Sequence, residues 1–220
     1  MKKNGKRLLR TGGVLVVAFA AWTVLIQMVD VQPIGQNGTD IGFASFNSWF
    51  HNLAGVHMAI YIITDWLGVI PLFVCMFFGG MGFVQLIRRR SLLKVDCDIV
   101  FLGIYYVVVI LSYLIFEMIP INYRPIPIDG FMEASYPSST TLLVLSVMPT
   151  LIFQVERRIE NVVAKKTISI LTSIFSAFMV IGRLVSGVHW FTDIVGSIML
   201  SAGMFCVYKA VVLLCYKEEN

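Results

Sequence analysis

Two stretches of this 220-residue chain carry side chains whose types and spacing could move a phosphoryl group. One runs from Gly182 and Arg183 through Ser186, Gly187, His189 and Trp190 to Asp193. His189 and Asp193 are four apart, so on a helical turn they share a face. A carboxylate placed there can fix the imidazole tautomer and stabilise its charged form. A histidine held in that way can act as a nucleophile. The other stretch begins at Glu117, passes Asn122, Arg124 and Pro125, and ends at Tyr136-Pro137-Ser138-Ser139-Thr140-Thr141. Arg124 and Arg183 offer planar, permanently charged forks that suit phosphate oxygens and would neutralise charge building on phosphorus. Pro137-Ser138-Ser139 at a helix start offers hydroxyls and unsatisfied backbone N–H groups, a seat for an anion. Singly, each feature has a plain alternative: an arginine at a span end reaches for headgroups, and an aspartate at a helix start caps it. Jointly they point to a phosphate site.

The elements that must position these residues are membrane spans. The chain is 58% hydrophobic and 14% charged, with a mean hydropathy of +0.82. That composition excludes a soluble globular enzyme, a disordered chain and a nucleic-acid reader. Six apolar stretches, at 12–28, 66–87, 99–118, 139–155, 167–185 and 194–216, are each about long enough to cross roughly 30 Å of hydrocarbon as a helix. A β-barrel would instead show short alternating segments. The expected fold is all-α, a six-helix polytopic bundle forming one domain over residues 1–220, with no internal repeat. Ala18-Phe19-Ala20 resembles a leader cleavage site, but too few apolar residues precede it, so the first stretch reads as a retained span. Gly79, Gly80 and Gly82 read as close-packing positions between helices. Cys75, Cys97, Cys206 and Cys215 show neither zinc-site nor disulfide-framework spacing.

Fifteen of the seventeen lysines and arginines fall before the first stretch, after the second or fourth, or at the chain's end. The positive-inside rule assigns that side to the cytoplasm, together with both termini. The two exceptions are Arg124 and Arg183. Residues 30–65 then form an outer segment. Its second part, with Phe43, Phe46, Trp49, Phe50 and Leu53, has the period of a helix lying in the interface over the bundle mouth. His51 and His57 read as interfacial positions, with proton donation the alternative. Asn37-Gly38-Thr39 matches a glycosylation acceptor, a weak pattern alone. No cluster with metal-ligand spacing stands at this face, and no cofactor is expected.

With these residues in view, the chain resembles the type 2 phosphatidic acid phosphatases, or lipid phosphate phosphatases, which share a catalytic core with vanadium haloperoxidases. That family's pattern is Lys-(six residues)-Arg-Pro, then Pro-Ser-Gly-His, then Ser-Arg-(five residues)-His-(three residues)-Asp. The chain carries Arg124-Pro125, Pro137-Ser138, and Arg183, His189 and Asp193 with both spacings intact. The resemblance implies metal-free phosphoryl transfer at the extracytoplasmic face of the cell membrane. His189 would form a phosphohistidine and Asp193 would orient it. Arg124, Arg183, Ser138 and the Ser139 backbone would hold the phosphate oxygens. Glu117 stands where the family has lysine, Thr140 where it has the histidine that protonates the leaving oxygen, Ser139 where it has glycine, and Gly182 where it has serine. A threonine is no general acid near neutral pH. Three readings stay open. One is a phosphatase acting on a lipid phosphate or isoprenoid pyrophosphate, its acid supplied from elsewhere (Glu117, for example) or made unnecessary by a less basic leaving group. The others are a lipid phosphodiester headgroup transferase and a catalytically inactive lipid-phosphate binder.

Overall fold

The computed structural model describes residues 2–215. Its helices are α1 (Lys2–Ile26), α2 (Ala44–Ala54), α3 (Met58–Leu67), α4 (Val69–Arg89), α5 (Cys97–Met118), α6 (Ser139–Arg158), α7 (Val162–Val185) and α8 (Phe191–Cys215). The protein is all-α, with no named strand among the described residues, and six helical segments are long and apolar enough to cross a membrane. Lipid offers no partner for backbone N–H and C=O groups, so continuous apolar runs close their hydrogen bonds internally as helices. Outward side chains such as Phe73, Phe77, Ile104, Ile110, Ile174 and Ile181 remain exposed on the bundle. α6 sits at the centre as the most buried span, with Leu142, Val144, Val147 and Met148 at or near zero exposure.

The second span begins earlier than expected. It runs from Met58 to Arg89, with α3 stacked on α4 across Gly68. Residues 58–65 therefore belong to the bundle and not to an outer loop. Thr64 fits inside the helix because its hydroxyl donates back to the Ile60 and Tyr61 carbonyls. The interfacial helix is α2. Its buried Asn47 donates to the Gly42 carbonyl and the Thr192 hydroxyl, lacing it across the start of α8. Phe46 and Phe50 pack edge-on against Phe191, at 5.1 and 5.2 Å between centroids.

Two further expectations need correcting. Gly79 and Gly80 face open space, and of that trio only Gly82 approaches a neighbour, the side chain of Ile99. The close contacts instead use Gly12, where a Cβ would lie 2.8 Å from the Gly203 carbonyl of α8, and Gly196, where it would strike the Tyr136 ring of the 119–138 loop at 2.5 Å. Cys97 and Cys215 are joined by a disulfide, which ties the start of α5 to the end of α8. Sequence spacing hid this pair, since 118 residues separate them.

The bundle has two chemically different ends. At one, Arg89 and Arg158 pair with Asp96 at 2.8 and 3.3 Å, and Arg158 also reaches the buried Asp98 at 2.8 Å. The start of α1 and the end of α8 meet there, Leu214 lying against Gly5. At the other end the 119–138 loop doubles back on itself. The Arg124 N–H donates to the Glu133 carbonyl and the Ser135 N–H to the Asn122 carbonyl, with Asp129-Gly130 turning in the left-handed region between them. Arg124 and Glu133 are thereby set opposite one another.

Candidate active site

The residues singled out for phosphate chemistry, Glu117, Arg124, Ser138, Ser139, Thr140, Arg183, His189 and Asp193, all lie at the loop-bearing end. α7 ends at Val185, where the Ser186 N–H donates to the Gly182 carbonyl. The chain then turns through Gly187 at φ +73°, where an added Cβ would come within 2.2 Å of the Gly55 carbonyl oxygen. Only glycine tolerates both that conformation and that approach. His51 contacts the Gly187 carbonyl through Nε2 at 3.1 Å, and the His57 N–H donates to the Ser186 carbonyl at 3.0 Å. These two histidines brace the turn that delivers His189.

His189 is buried, and its Nδ1 lies 3.1 Å from the Ser135 carbonyl oxygen and 3.7 Å from Asp193 Oδ2. A carbonyl can only accept, so Nδ1 carries the hydrogen and Nε2 keeps its lone pair. Asp193 also accepts the Trp190 N–H at 2.9 Å and the Asn122 amide at 3.3 Å. The first of these contacts caps α8, as one side of a capping box does. Asp193 therefore caps the helix and stands behind the imidazole, while Ser135 makes the closer contact. Burial pushes the His189 imidazole down to about 4, and the guanidiniums of Arg124 and Arg183 push the same way while Asp193 pulls back. At neutral pH this histidine is uncharged.

The two arginines come together from distant segments. Arg183 is 1% exposed, and its Nη2 donates to the Thr140 hydroxyl and, at 3.1 Å, to Asp65 Oδ1. Arg124 pairs with Glu133 at 3.1 Å. Both guanidiniums lie over the Tyr61 ring, at 4.8 Å for Arg183 and 5.7 Å for Arg124, where the ring's negative face offsets their mutual repulsion. Within the described residues, Nε and Nη1 of each arginine and Nε2 of His189 are buried without a hydrogen-bond partner. Buried polar atoms left unpaired are costly and rare, so four such donors and one imidazole lone pair at one place call for a ligand with several acceptors around an electrophilic centre.

Ser138 and Ser139 open α6 beside this group. The Ser138 hydroxyl donates to Thr141 at 3.1 Å and its carbonyl accepts from Ser197, so it is tied into the first turn. Ser139 lines two openings. One is a polar cleft of about 190 Å³ with Glu117, Tyr113, Arg124 and Glu133 in its wall. The other is a mostly apolar cavity of about 450 Å³ that reaches Thr140 and Asp65. Glu117 itself is exposed at the end of α5. Among the described residues no group of three or more His, Cys, Asp or Glu side chains could hold a metal ion.

Sequence reasoning missed Tyr61, Asp65, Glu133 and the Ser135 carbonyl. The first two left a signal: Tyr61, Thr64 and Asp65 recur at i, i+3 and i+4 within an apolar helical run, and so share one face of α3. Glu133 and Ser135 left none, because their place depends on how the loop folds.

The family model of the PAP2 superfamily matches residues 99–216. No curated protein matches the chain by sequence. Among solved structures, the chain is similar to the crystal structure of the first transmembrane PAP2-type phosphatidylglycerolphosphate phosphatase from Bacillus subtilis. The two are 16% identical with a TM-score of 0.65, and the match covers 95% of this chain and 96% of that one. At that identity the likeness is one of fold.

Proposed function

This chain belongs to the PAP2 superfamily, and from that premise we propose that it is an integral membrane phosphatase that removes phosphate from a lipid phosphate or lipid pyrophosphate through a phosphohistidine on His189. The observation that carries the reading is the set of five buried, unpartnered nitrogens on His189, Arg124 and Arg183. A phosphate dianion would satisfy the four arginine nitrogens and bring phosphorus to Nε2, whose lone pair is available because Nδ1 faces the Ser135 carbonyl. Asp193 and Ser135 would stabilise the imidazole as it gains positive character. Ser139, at the start of α6, would add donors for the phosphate oxygens, and Ser138 would join it by turning its hydroxyl away from Thr141. The arginines supply the charge that a metal would otherwise bring, so the proposed reaction needs none.

The test is phosphate release by the purified protein over a panel of lipid monophosphates and pyrophosphates. Turnover that survives a chelator is expected. Turnover abolished by the chelator and restored by magnesium would replace this mechanism with metal chemistry. A phosphodiester headgroup transferase is the second reading, favoured by the Glu117 and Glu133 carboxylates in the cleft beside Arg124, which suit a cationic headgroup. Headgroup exchange between two lipids without free phosphate would select it. Bound ligand with no turnover of either kind would select an inactive binder.

We place the site on the extracytoplasmic side, because the basic residues gather at the opposite end of the bundle. Phe131, exposed at the loop tip, is the probe: in Phe131→Cys, an impermeant thiol reagent added to intact cells should label the new cysteine. Labelling only after the membrane is breached would reverse the orientation. Cys97 and Cys215 meet at that opposite end and report independently, since a reducing cytosol would open the disulfide between them to two thiols. Their disulfide found intact in freshly quenched cells would also argue for the reverse.

A further inference from the structure

A lipid phosphate that transfers its phosphate to His189 must release a lipid oxygen, and an alkoxide departs slowly unless a proton reaches it. Thr140 cannot provide that proton near neutral pH. The lipid end of the substrate is apolar, so its leaving oxygen belongs where apolar cavity meets arginine. Such a junction exists: a cavity of about 450 Å³ walled by Leu72, Val109, Ile110 and Leu143 ends at Thr140 and Asp65. Asp65 is the one carboxylate in that wall among the described residues, while Glu117 and Glu133 line the polar cleft instead. A single nitrogen, Arg183 Nη2, holds both Asp65 Oδ1 and the Thr140 hydroxyl, so the carboxylate stands beside the threonine at the edge of the phosphate seat. Gly182 makes this approach possible, because a Cβ there would come within 2.7 Å of the Thr64 methyl on α3. The Asp65 side chain is 57% exposed, open to protons from water or substrate.

We infer that Asp65 is the acid–base group of the reaction; the inference rests on the phosphatase reading of this site. A phosphate monoester bound as its monoanion hands its proton to the Asp65 carboxylate. The His189 Nε2 lone pair then forms the N–P bond while the P–O bond to the lipid breaks, its electrons going to the lipid oxygen. Asp65 delivers its proton to that oxygen, and the lipid leaves as an alcohol. In the second step a water oxygen attacks phosphorus and Asp65 takes the water's proton. The P–N bond breaks with its electrons returning to Nε2, Asp65 passes its proton to a phosphate oxygen, and inorganic phosphate departs as the monoanion with Asp65 again a carboxylate.

The test compares a lipid monophosphate with the pyrophosphate of the same lipid, whose leaving phosphate needs little protonation. Asp65→Asn should lower kcat on the monophosphate by about 10²- to 10⁴-fold, the usual worth of general acid catalysis. The same variant should lower the pyrophosphate rate by less than about tenfold, since phosphate leaves as a stable anion. Asp65→Glu should restore part of the monophosphate rate, and Thr140→His added to Asp65→Asn should restore it by bringing in an imidazole acid. Equal losses on both substrates would mean that Asp65 only braces Arg183, and no loss on either would mean that it is a bystander; each result overturns the inference. Wild-type protein that turns over neither substrate overturns the phosphatase reading, and the inference falls with it.

Discussion

His189→Ala is expected to lower phosphate release by on the order of 10⁴-fold or more, the scale on which enzymes lose a covalent nucleophile. Lipid phosphate should still bind, because Arg124 and Arg183 retain their four unpartnered nitrogens. Brief incubation of wild type with labelled substrate, quenched in alkali, should trap acid-labile phosphate on the protein, and the variant should trap none. The pH profile follows from the burial of the ring. With its imidazole pushed down to about 4, His189 is neutral above that value and charged only below it. Protonation of the nucleophile therefore leaves kcat/KM level from about pH 8 to about pH 5 and lowers it only under more acid conditions. A loss centred near 6.5, the value of an unperturbed imidazole, would contradict the buried, uncharged nucleophile. Retained turnover in His189→Ala would remove histidine from the mechanism.

Arg183→Gln should lower kcat/KM by about 10²- to 10³-fold, the cost of deleting one preorganised donor aimed at developing charge. Arg183 is fully enclosed and joins three partners: Asp65, Thr140 and the face of Tyr61. Its removal also leaves Asp65 without its cation. Arg183→Lys should recover little, because an ammonium is a point charge without the planar fork needed to hold protein partners and phosphate together. Glu117→Gln is the contrasting substitution, since Glu117 is exposed at the end of α5, in the wall of a polar cleft that His189 and Arg183 do not line. An Arg183→Gln protein with unchanged kcat/KM and a well-folded bundle would sink the assignment of this arginine to the phosphate.

The chain's local patterns determined a good deal unaided. Apolar runs force helices in lipid, and this set six spans and the all-α class, because the requirement acts on each segment separately. The helical period of Phe46, Trp49, Phe50 and Leu53 gave α2 for the same reason. The i, i+4 spacing of His189 and Asp193 and the placement of Arg124 and Arg183 against the run of charge drew attention to the loop-bearing end.

Other features were decided only when segments far apart in sequence met. Asp65 reaches Arg183 across 118 residues, and the nearest partner of His189 is a backbone carbonyl 54 residues away. A carbonyl has no residue type, so sequence could offer Asp193 as the orienting group but could not offer Ser135. Glu133 faces Arg124 because the loop closes at Asp129-Gly130, a register that no single residue specifies. The close contacts fell to Gly12, Gly182 and Gly196 and not to Gly79 and Gly80, because a glycine matters for packing only where another segment is near enough to need the missing Cβ. Thr140 and Gly182 were departures from a family pattern when read along the chain. Across the fold both bear on one arginine: Thr140 accepts from Arg183, and Gly182 lets α3 approach closely enough to bring its carboxylate to the same guanidinium.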